Sequence, residues 1–175
     1  MAYTNRILLW GLYRMIRFAI LTISDKAAAG LREDASGPAL ASFVQAYGTV
    51  CHMAVLPDEQ ARIEQALRTL CDQDRADVIL TTGGTGFAPR DVTPEATAAV
   101  CTRMAPGLGE AMRAASLAIT PHAVLSRAIA GIRQRSVIIN LPGSPKAAIE
   151  CIRVIAGTFT HMVETLRGQA YECGR

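Results

Sequence analysis

Among the residues of this chain that could do chemistry, the densest group lies in the stretch Thr81-Thr82-Gly83-Gly84-Thr85-Gly86-Phe87-Ala88-Pro89-Arg90-Asp91-Val92-Thr93-Pro94-Glu95. Gly83, Gly84 and Gly86 let the backbone approach a ligand closely and present its N–H groups, an arrangement suited to phosphate. Thr82 and Thr85 add hydroxyl donors, and the guanidinium of Arg90 can grip an anion with two parallel bonds. Asp91 does not fit an anion site by itself. A carboxylate beside a phosphate repels it unless a cation lies between, so Asp91 points to Mg²⁺ or to activation of a nucleophile. The competing reading is a tight glycine turn in which Asp91 caps the coming helix. Glycines alone do not decide between these; their combination with Arg90, Asp91 and Thr93-Pro94-Glu95 favours the site.

A strand before the loop and a helix after it must hold these groups. Asp77-Val78-Ile79-Leu80 is short, apolar and β-branched, as expected of a buried strand. Thr93 suits an N-cap, Pro94 the first helical position and Glu95 the first turn. The same strand-to-helix junction recurs along the chain. Phe18–Ile23 is a continuous apolar run ending in Ser24-Asp25-Lys26. His52–Leu56 leads into Pro57-Asp58-Glu59-Gln60, and Ser136–Leu141 into Pro142-Gly143-Ser144-Pro145-Lys146. In a parallel sheet all these junctions share the carboxyl rim, where ligands bind. Local alternatives remain open: Ser24 and Asp25 as a turn, Asp58 as an N-cap, Lys146 as a solvated side chain.

The remaining segments alternate in the same way. Ser36-Gly37-Pro38 opens a helix through Tyr47, and Ile63, Ala66, Leu67 and Leu70 form one helical face. Pro94–Arg103 and Glu110–Leu117 read as helices separated at Pro106-Gly107. Val124–Ile132 and Ser136–Leu141 read as two strands of a hairpin, and a last helix runs to about Leu166. This predicts an α/β fold, three layers with a mostly parallel sheet flanked by helices. Residues 18–175 are expected to form one domain, preceded by an extension over residues 1–17.

The chain has 175 residues, 50% hydrophobic and 19% charged, enough for one sizeable core. Aromatic residues make up only 5%, which fits an aliphatic core between sheet and helices. The formal charge is +3, but residues 1–17 hold Arg6, Arg14 and Arg17 with no acid, leaving the remainder neutral. No basic tract of the kind nucleic-acid binding needs is present. The five cysteines, Cys51, Cys71, Cys101, Cys151 and Cys173, form no C-x-x-C pair and no zinc pattern with the histidines. Reduced thiols in a cytoplasmic protein, with no structural metal, are expected. The apolar run Ile7–Tyr13 is too short to span a membrane, is followed by Arg14 and Arg17, and lacks a small-residue cleavage site directly after it. Met15 is an alternative translation start.

The stretch Thr82–Thr97 resembles the signature of the MoaB/Mog family of molybdenum cofactor biosynthesis proteins, to which bacterial molybdopterin adenylyltransferase and the G domain of animal gephyrin belong. The resemblance extends to Ile23-Ser24-Asp25, Leu56-Pro57-Asp58-Glu59, Pro106-Gly107, Glu110, Met112-Arg113, Leu125-Ser126-Arg127 and Asn140–Lys146, covering roughly residues 18–167. It implies the molybdopterin-binding, Rossmann-like fold and a homotrimer. It also implies a reaction in which the terminal phosphate of molybdopterin attacks the α-phosphate of ATP, assisted by Mg²⁺, and pyrophosphate leaves. By the family pattern Asp58 and Asp91 are the essential carboxylates, with Asp91 on the Mg²⁺. Ser24, Asp25, Thr82, Gly83, Gly84, Thr85, Gly86, Arg90, Thr93, Glu95, Ser126, Pro142, Gly143, Ser144 and Lys146 would hold nucleotide and pterin. Hand-off of the product to a molybdenum insertase is a further expectation. The N-terminal extension departs from the pattern, and a chain stopping at Arg175 leans toward the MoaB-like members. The alternative is therefore a pterin-binding carrier with little turnover, against which Asp58 and Asp91 argue. A dinucleotide oxidoreductase is disfavoured because Ser24–Gly30 lacks G-x-G-x-x-G.

Overall fold

A computed structural model describes residues 15–168 of the chain. Of the expected extension over residues 1–17, residues 1–14 lie outside the described residues, while Ile16 and Arg17 belong to the first strand. A six-stranded sheet has the order β2-β1-β3-β6-β5-β4. Strands β1 (Ile16–Ile23), β2 (Gly48–Leu56), β3 (Val78–Thr82) and β6 (Ser136–Leu141) run parallel. Strands β5 (Ala130–Arg133) and β4 (Arg103–Met104) add an antiparallel edge. The first strand begins at Ile16, earlier than its apolar run suggests, because Ile16 pairs with Gly48 and the Arg17 amide binds the Asp77 carboxylate.

Alternation along the strands builds two cores, one on each face. Phe18, Ile20, Val78, Leu80, Val137 and Ile139 meet the helices α2 (Ser36–Val44), α5 (Pro106–Leu117), α6 (Pro145–Ile155) and α7 (Phe159–Leu166). Ala19, Leu21, Ile79 and Ile138 meet α3 (Gln60–Asp72) and α4 (Thr93–Val100). Helices on both faces of central parallel strands leave those strands buried throughout, as their unbroken apolar runs require. The expected three-layer α/β fold is the observed one. A one-turn helix α1 (Asp25–Ala28) follows β1 directly.

Several expected element boundaries differ. The expected strand from Val124 begins only at Ala130; Pro121–Leu125 is instead a 3₁₀ segment capped by the Thr120 hydroxyl, which accepts from the His122 amide. The helix after the glycine loop stops at Val100, and Arg103-Met104 pairs with β5. Pro106-Gly107 does not break a helix but opens α5. The last helix is divided between α6 and α7 by a 3₁₀ turn at Ala156–Thr158.

The chain leaves β1 for β2 on one side of it and returns to β3 on the other. This is a topological switch point, and it opens a crevice at the carboxyl ends of β1 and β3. Ser24, Asp58, Gly83 and Pro142 all lie at strand ends on that rim.

Candidate functional site

The glycine loop sits where it does because side chains would not fit. Gly83 and Gly84 have φ of +104° and +61°, a region that favours glycine. A Cβ on Gly83 would stand 2.2 Å from the Ile23 carbonyl oxygen, and one on Gly84 would be 2.4 Å from Thr93 Oγ1 and 3.0 Å from Asp58 Oδ1. Thr93 does not act as the N-cap; α4 already includes it, and its buried hydroxyl donates to the Gly83 carbonyl at 2.9 Å. Thr82 Oγ1 donates to the Pro142 carbonyl at 2.6 Å, joining this loop to the turn after β6. Ser36 Oγ holds the other side of that turn through the Gly143 carbonyl at 2.7 Å.

Asp58 is not a helix cap either. Glu59 occupies the N-cap position of α3, while Asp58 Oδ2 accepts from the Asp25 amide at 2.7 Å. Asp25 Oδ1 returns the contact by accepting from the Asp58 amide at 2.9 Å. Arg90 then grips Asp25 with two bonds, Nε to Oδ2 at 2.9 Å and Nη2 to Oδ1 at 2.7 Å. The paired guanidinium pulls Asp25 below its ordinary carboxyl pKa. Burial pushes Asp58 up, and the neighbouring charges of Asp25 and Asp91 add to that rise. Asp91 Oδ2 accepts from the Ala88 amide at 2.9 Å, so it closes a turn inside the loop and does not cap α4.

Two cavities flank the loop. One, of about 370 Å³, is polar and is lined by Ser24, Asp34, Ser36, Asp58, Thr82, Gly83, Gly84, Asp91, Gly143 and Ser144 among others. The second, of about 290 Å³, is mostly apolar; Thr85, Gly86, Ser126 and Pro142 line it together with α5 and α6. The loop and the Pro142-Gly143 turn therefore form a partition with one cavity on each side. Asp25, Arg90, Thr93, Glu95 and Lys146 line neither cavity. Lys146 is 83% exposed on the surface of α6. Ser144 stands at the N-cap of α6 without a side-chain capping bond.

Three residues that sequence reasoning left out of the site shape it. Arg127 Nε donates to the Gly86 carbonyl at 2.7 Å, its Nη2 bonds the Asp91 carbonyl, and its Nη1 pairs with Glu95. One guanidinium thus spans the loop that carries Asp91. Asn140, fully buried, donates to the hydroxyls of Thr81 and Thr97 and accepts from the Ile129 amide. Asp34, one residue ahead of the N-cap position of α2, accepts from the Ser36 and Gly37 amides while Thr22 donates to its other oxygen. Asn140 was legible as a polar residue ending an apolar strand; nothing in the local sequence marks the partners of Arg127.

Among the described residues no helix is long and apolar enough to cross a membrane. A family model described as a probable molybdopterin binding domain matches residues 19–161. Molybdopterin adenylyltransferase of Helicobacter pylori (strain J99) is 44% identical over 156 residues, 87% of this chain and 89% of that protein. The Escherichia coli K12 protein of the same name is 45% identical over 140 residues, covering 78% and 72%. The crystal structure of the molybdopterin biosynthesis enzyme MoaB from Thermus thermophilus superposes with a TM-score of 0.83 at 44% identity, covering 90% of this chain and all of that one. With the match spanning the sheet, both cavities and the glycine loop, the chain belongs to the molybdopterin-binding-domain family of MoaB/Mog proteins.

Proposed function

We propose that this protein is a molybdopterin adenylyltransferase: it transfers AMP from ATP to the terminal phosphate of molybdopterin and releases pyrophosphate. The observation that carries this reading is the pair of cavities of opposite character meeting across one phosphate-suited loop. A nucleotide needs polar walls and backbone donors, which the cavity with Asp34, Ser36 and Gly83 supplies. A pterin needs a flat apolar slot, which the cavity beside Thr85 and Pro142 supplies. The reacting phosphates would meet at Gly83–Gly86, the partition between the two. Similarity to the curated adenylyltransferases supports the same assignment.

The nucleophile is already an anionic phosphate oxygen, so the reaction asks mainly for placement and charge neutralisation. That oxygen bonds to the α-phosphorus as the bond to the pyrophosphate oxygen breaks. Gly83 and Gly84 leave room for the phosphates against the backbone, and the ties from Thr93 and Thr82 keep that backbone fixed. Asp58 and Asp91 both line the nucleotide cavity and would hold Mg²⁺ together with substrate phosphates, which commonly complete its coordination. The fit is electrostatic: burial and two neighbouring carboxylates make ionised Asp58 costly, and a cation relieves that cost. When bound, Mg²⁺ neutralises charge on the α-phosphate and on the departing pyrophosphate. Arg90 lines neither cavity, but it is bonded to Asp25, the neighbour of Asp58, and exchange of Asp25 for a phosphate would bring its two donors onto substrate.

A pterin carrier without turnover is less well supported, since it would not need Asp58 and Asp91 in the nucleotide cavity. The same reading includes a single domain over residues 18–175, a homotrimer, a cytoplasmic location and delivery of the product to a molybdenum insertase. The direct test is incubation with molybdopterin and ATP labelled at the α-phosphate. Label should move to the pterin; label remaining in ATP at full pterin occupancy would refute the assignment.

A further inference from the structure

The apolar cavity has one acidic side chain in its lining, Glu150 of α6. Its other polar groups mostly have partners among themselves or on the backbone, Thr120 Oγ1 lying 3.3 Å from His122 Nδ1. Arg113 Nη1 donates to the carbonyls of Ser126 and Ala128, both at 3.0 Å, and Ser116 Oγ lies 3.4 Å from Cys151 Sγ. Asn140 serves Thr81, Thr97 and Ile129. Glu150 differs. Its ion-pair partner is Lys146, 3.9 Å away on a side chain 83% exposed, whereas Glu150 itself is 31% exposed. An i,i+4 pair of that kind contributes little. Glu150 thus lies, half-buried, in the lining of a slot otherwise shaped by Met112, Ile119, Ala123, Leu125 and Pro142.

We infer that Glu150 reads the pyrimidine edge of the pterin and so sets which heterocycle the enzyme accepts. This rests on molybdopterin being the substrate. A pterin presents two parallel donors, the ring N3–H and the 2-amino group, and a carboxylate accepts both, as it does from an arginine fork. The spacing agrees. Glu150 lies five residues past Pro145, the first residue of α6, about 7–8 Å along the helix at ~1.5 Å per residue. The helix start follows the Pro142-Gly143 turn, which Thr82 ties to the glycine loop where the phosphates would meet, so one helix would span from the phosphate end of the ligand toward its ring. Lumazine, which carries an oxygen in place of the 2-amino group, would set an acceptor against the carboxylate and be rejected.

The experiment compares the full-length enzyme with Glu150→Gln. Turnover is followed as a function of molybdopterin and of ATP, and binding of 6-hydroxymethylpterin and the matching lumazine is read by ligand fluorescence. The KM for molybdopterin should rise in the variant, by roughly tenfold to a hundredfold as for other bidentate base contacts, while the KM for ATP and the melting temperature stay put. The native enzyme should prefer pterin over lumazine by a similar factor, and the variant should lose that preference. Unchanged KM for molybdopterin, or equal preference in both proteins, overturns the role of Glu150 and leaves the adenylyltransferase standing. Absence of both turnover and pterin binding in the native enzyme overturns both.

Discussion

Asp25 and Asp58 each accept a hydrogen bond from the other's backbone amide, at 2.9 and 2.7 Å, which staples the ends of β1 and β2 together at the rim of the site. The exchange fixes both carboxylates without using all their oxygens. Oδ1 of Asp58 remains directed at the glycine loop, within 3.0 Å of where a side chain on Gly84 would begin.

Asp58 therefore titrates under constraint. Burial, with Asp25 and Asp91 nearby, raises its pKa above the ordinary 3.8. Only the ionised form can hold a cation, so kcat/KM should climb with pH through that raised value. Asp58→Asn should lose about 10²–10³ in rate, the scale of one removed electrostatic contact. A pH–rate profile checks this. An acid limb unchanged in the variant would assign the titration to another group.

Arg127 acts through Asp91 and is a positioning residue. Its bonds to the carbonyls of Gly86 and Asp91 hold both sides of the loop, and Glu95 orients it. A lysine keeps the charge but lacks the planar fork. Arg127→Lys should cost about 10²-fold in kcat, as a displacement near 1 Å can, with little change in melting temperature. Steady-state kinetics beside thermal melts separate this from simple destabilisation.

Much of this site was readable from the chain because its residues follow strand ends. Ser24, Asp58, Gly83 and Gly143 were placed on one rim by the strand–loop–helix pattern alone, and the parallel sheet does put them there. The misreadings share a cause: local grammar cannot see a distant partner. Thr93 has the type of an N-cap, yet the nearby Gly83 carbonyl takes its hydroxyl. For Asp58 the alternative of an N-cap stays open in the sequence for the same reason, and the Asp25 amide, 33 residues away in sequence, decides against it. The run from Val124 is apolar enough for a strand, but Thr120-Pro121 starts a 3₁₀ segment before it. Which side chains line which cavity depends on how α5 and α6 pack, and no motif encodes that.

Away from the site, Asp77 ties the start of β1 to the end of the described chain. Its carboxylate receives the Arg17 amide at 2.8 Å, the Arg17 guanidinium at 3.0 and 3.1 Å, and pairs with Arg167 at 2.8 Å. Burial alone would raise its pKa, but the bonds from Arg17 and Arg167 prevail and hold it below 3.8. Its contribution is thus complete above that value and is lost as pH falls through the lowered pKa. Asp77→Asn should cost about 3–5 kcal/mol at neutral pH, since it removes the buried charged member of an ion-pair cluster shared by Arg17 and Arg167. Denaturant unfolding at pH 7 and pH 3 should show that difference shrinking in acid.

The most direct measurement is pyrophosphate release from Mg²⁺-ATP, with and without molybdopterin, by the native protein and by Asp91→Asn. Release that requires molybdopterin and disappears in the variant, while pterin binding persists, is the predicted result. Equal release by the two proteins would contradict the role given to Asp91, and tight pterin binding without any release would contradict the adenylyltransferase itself.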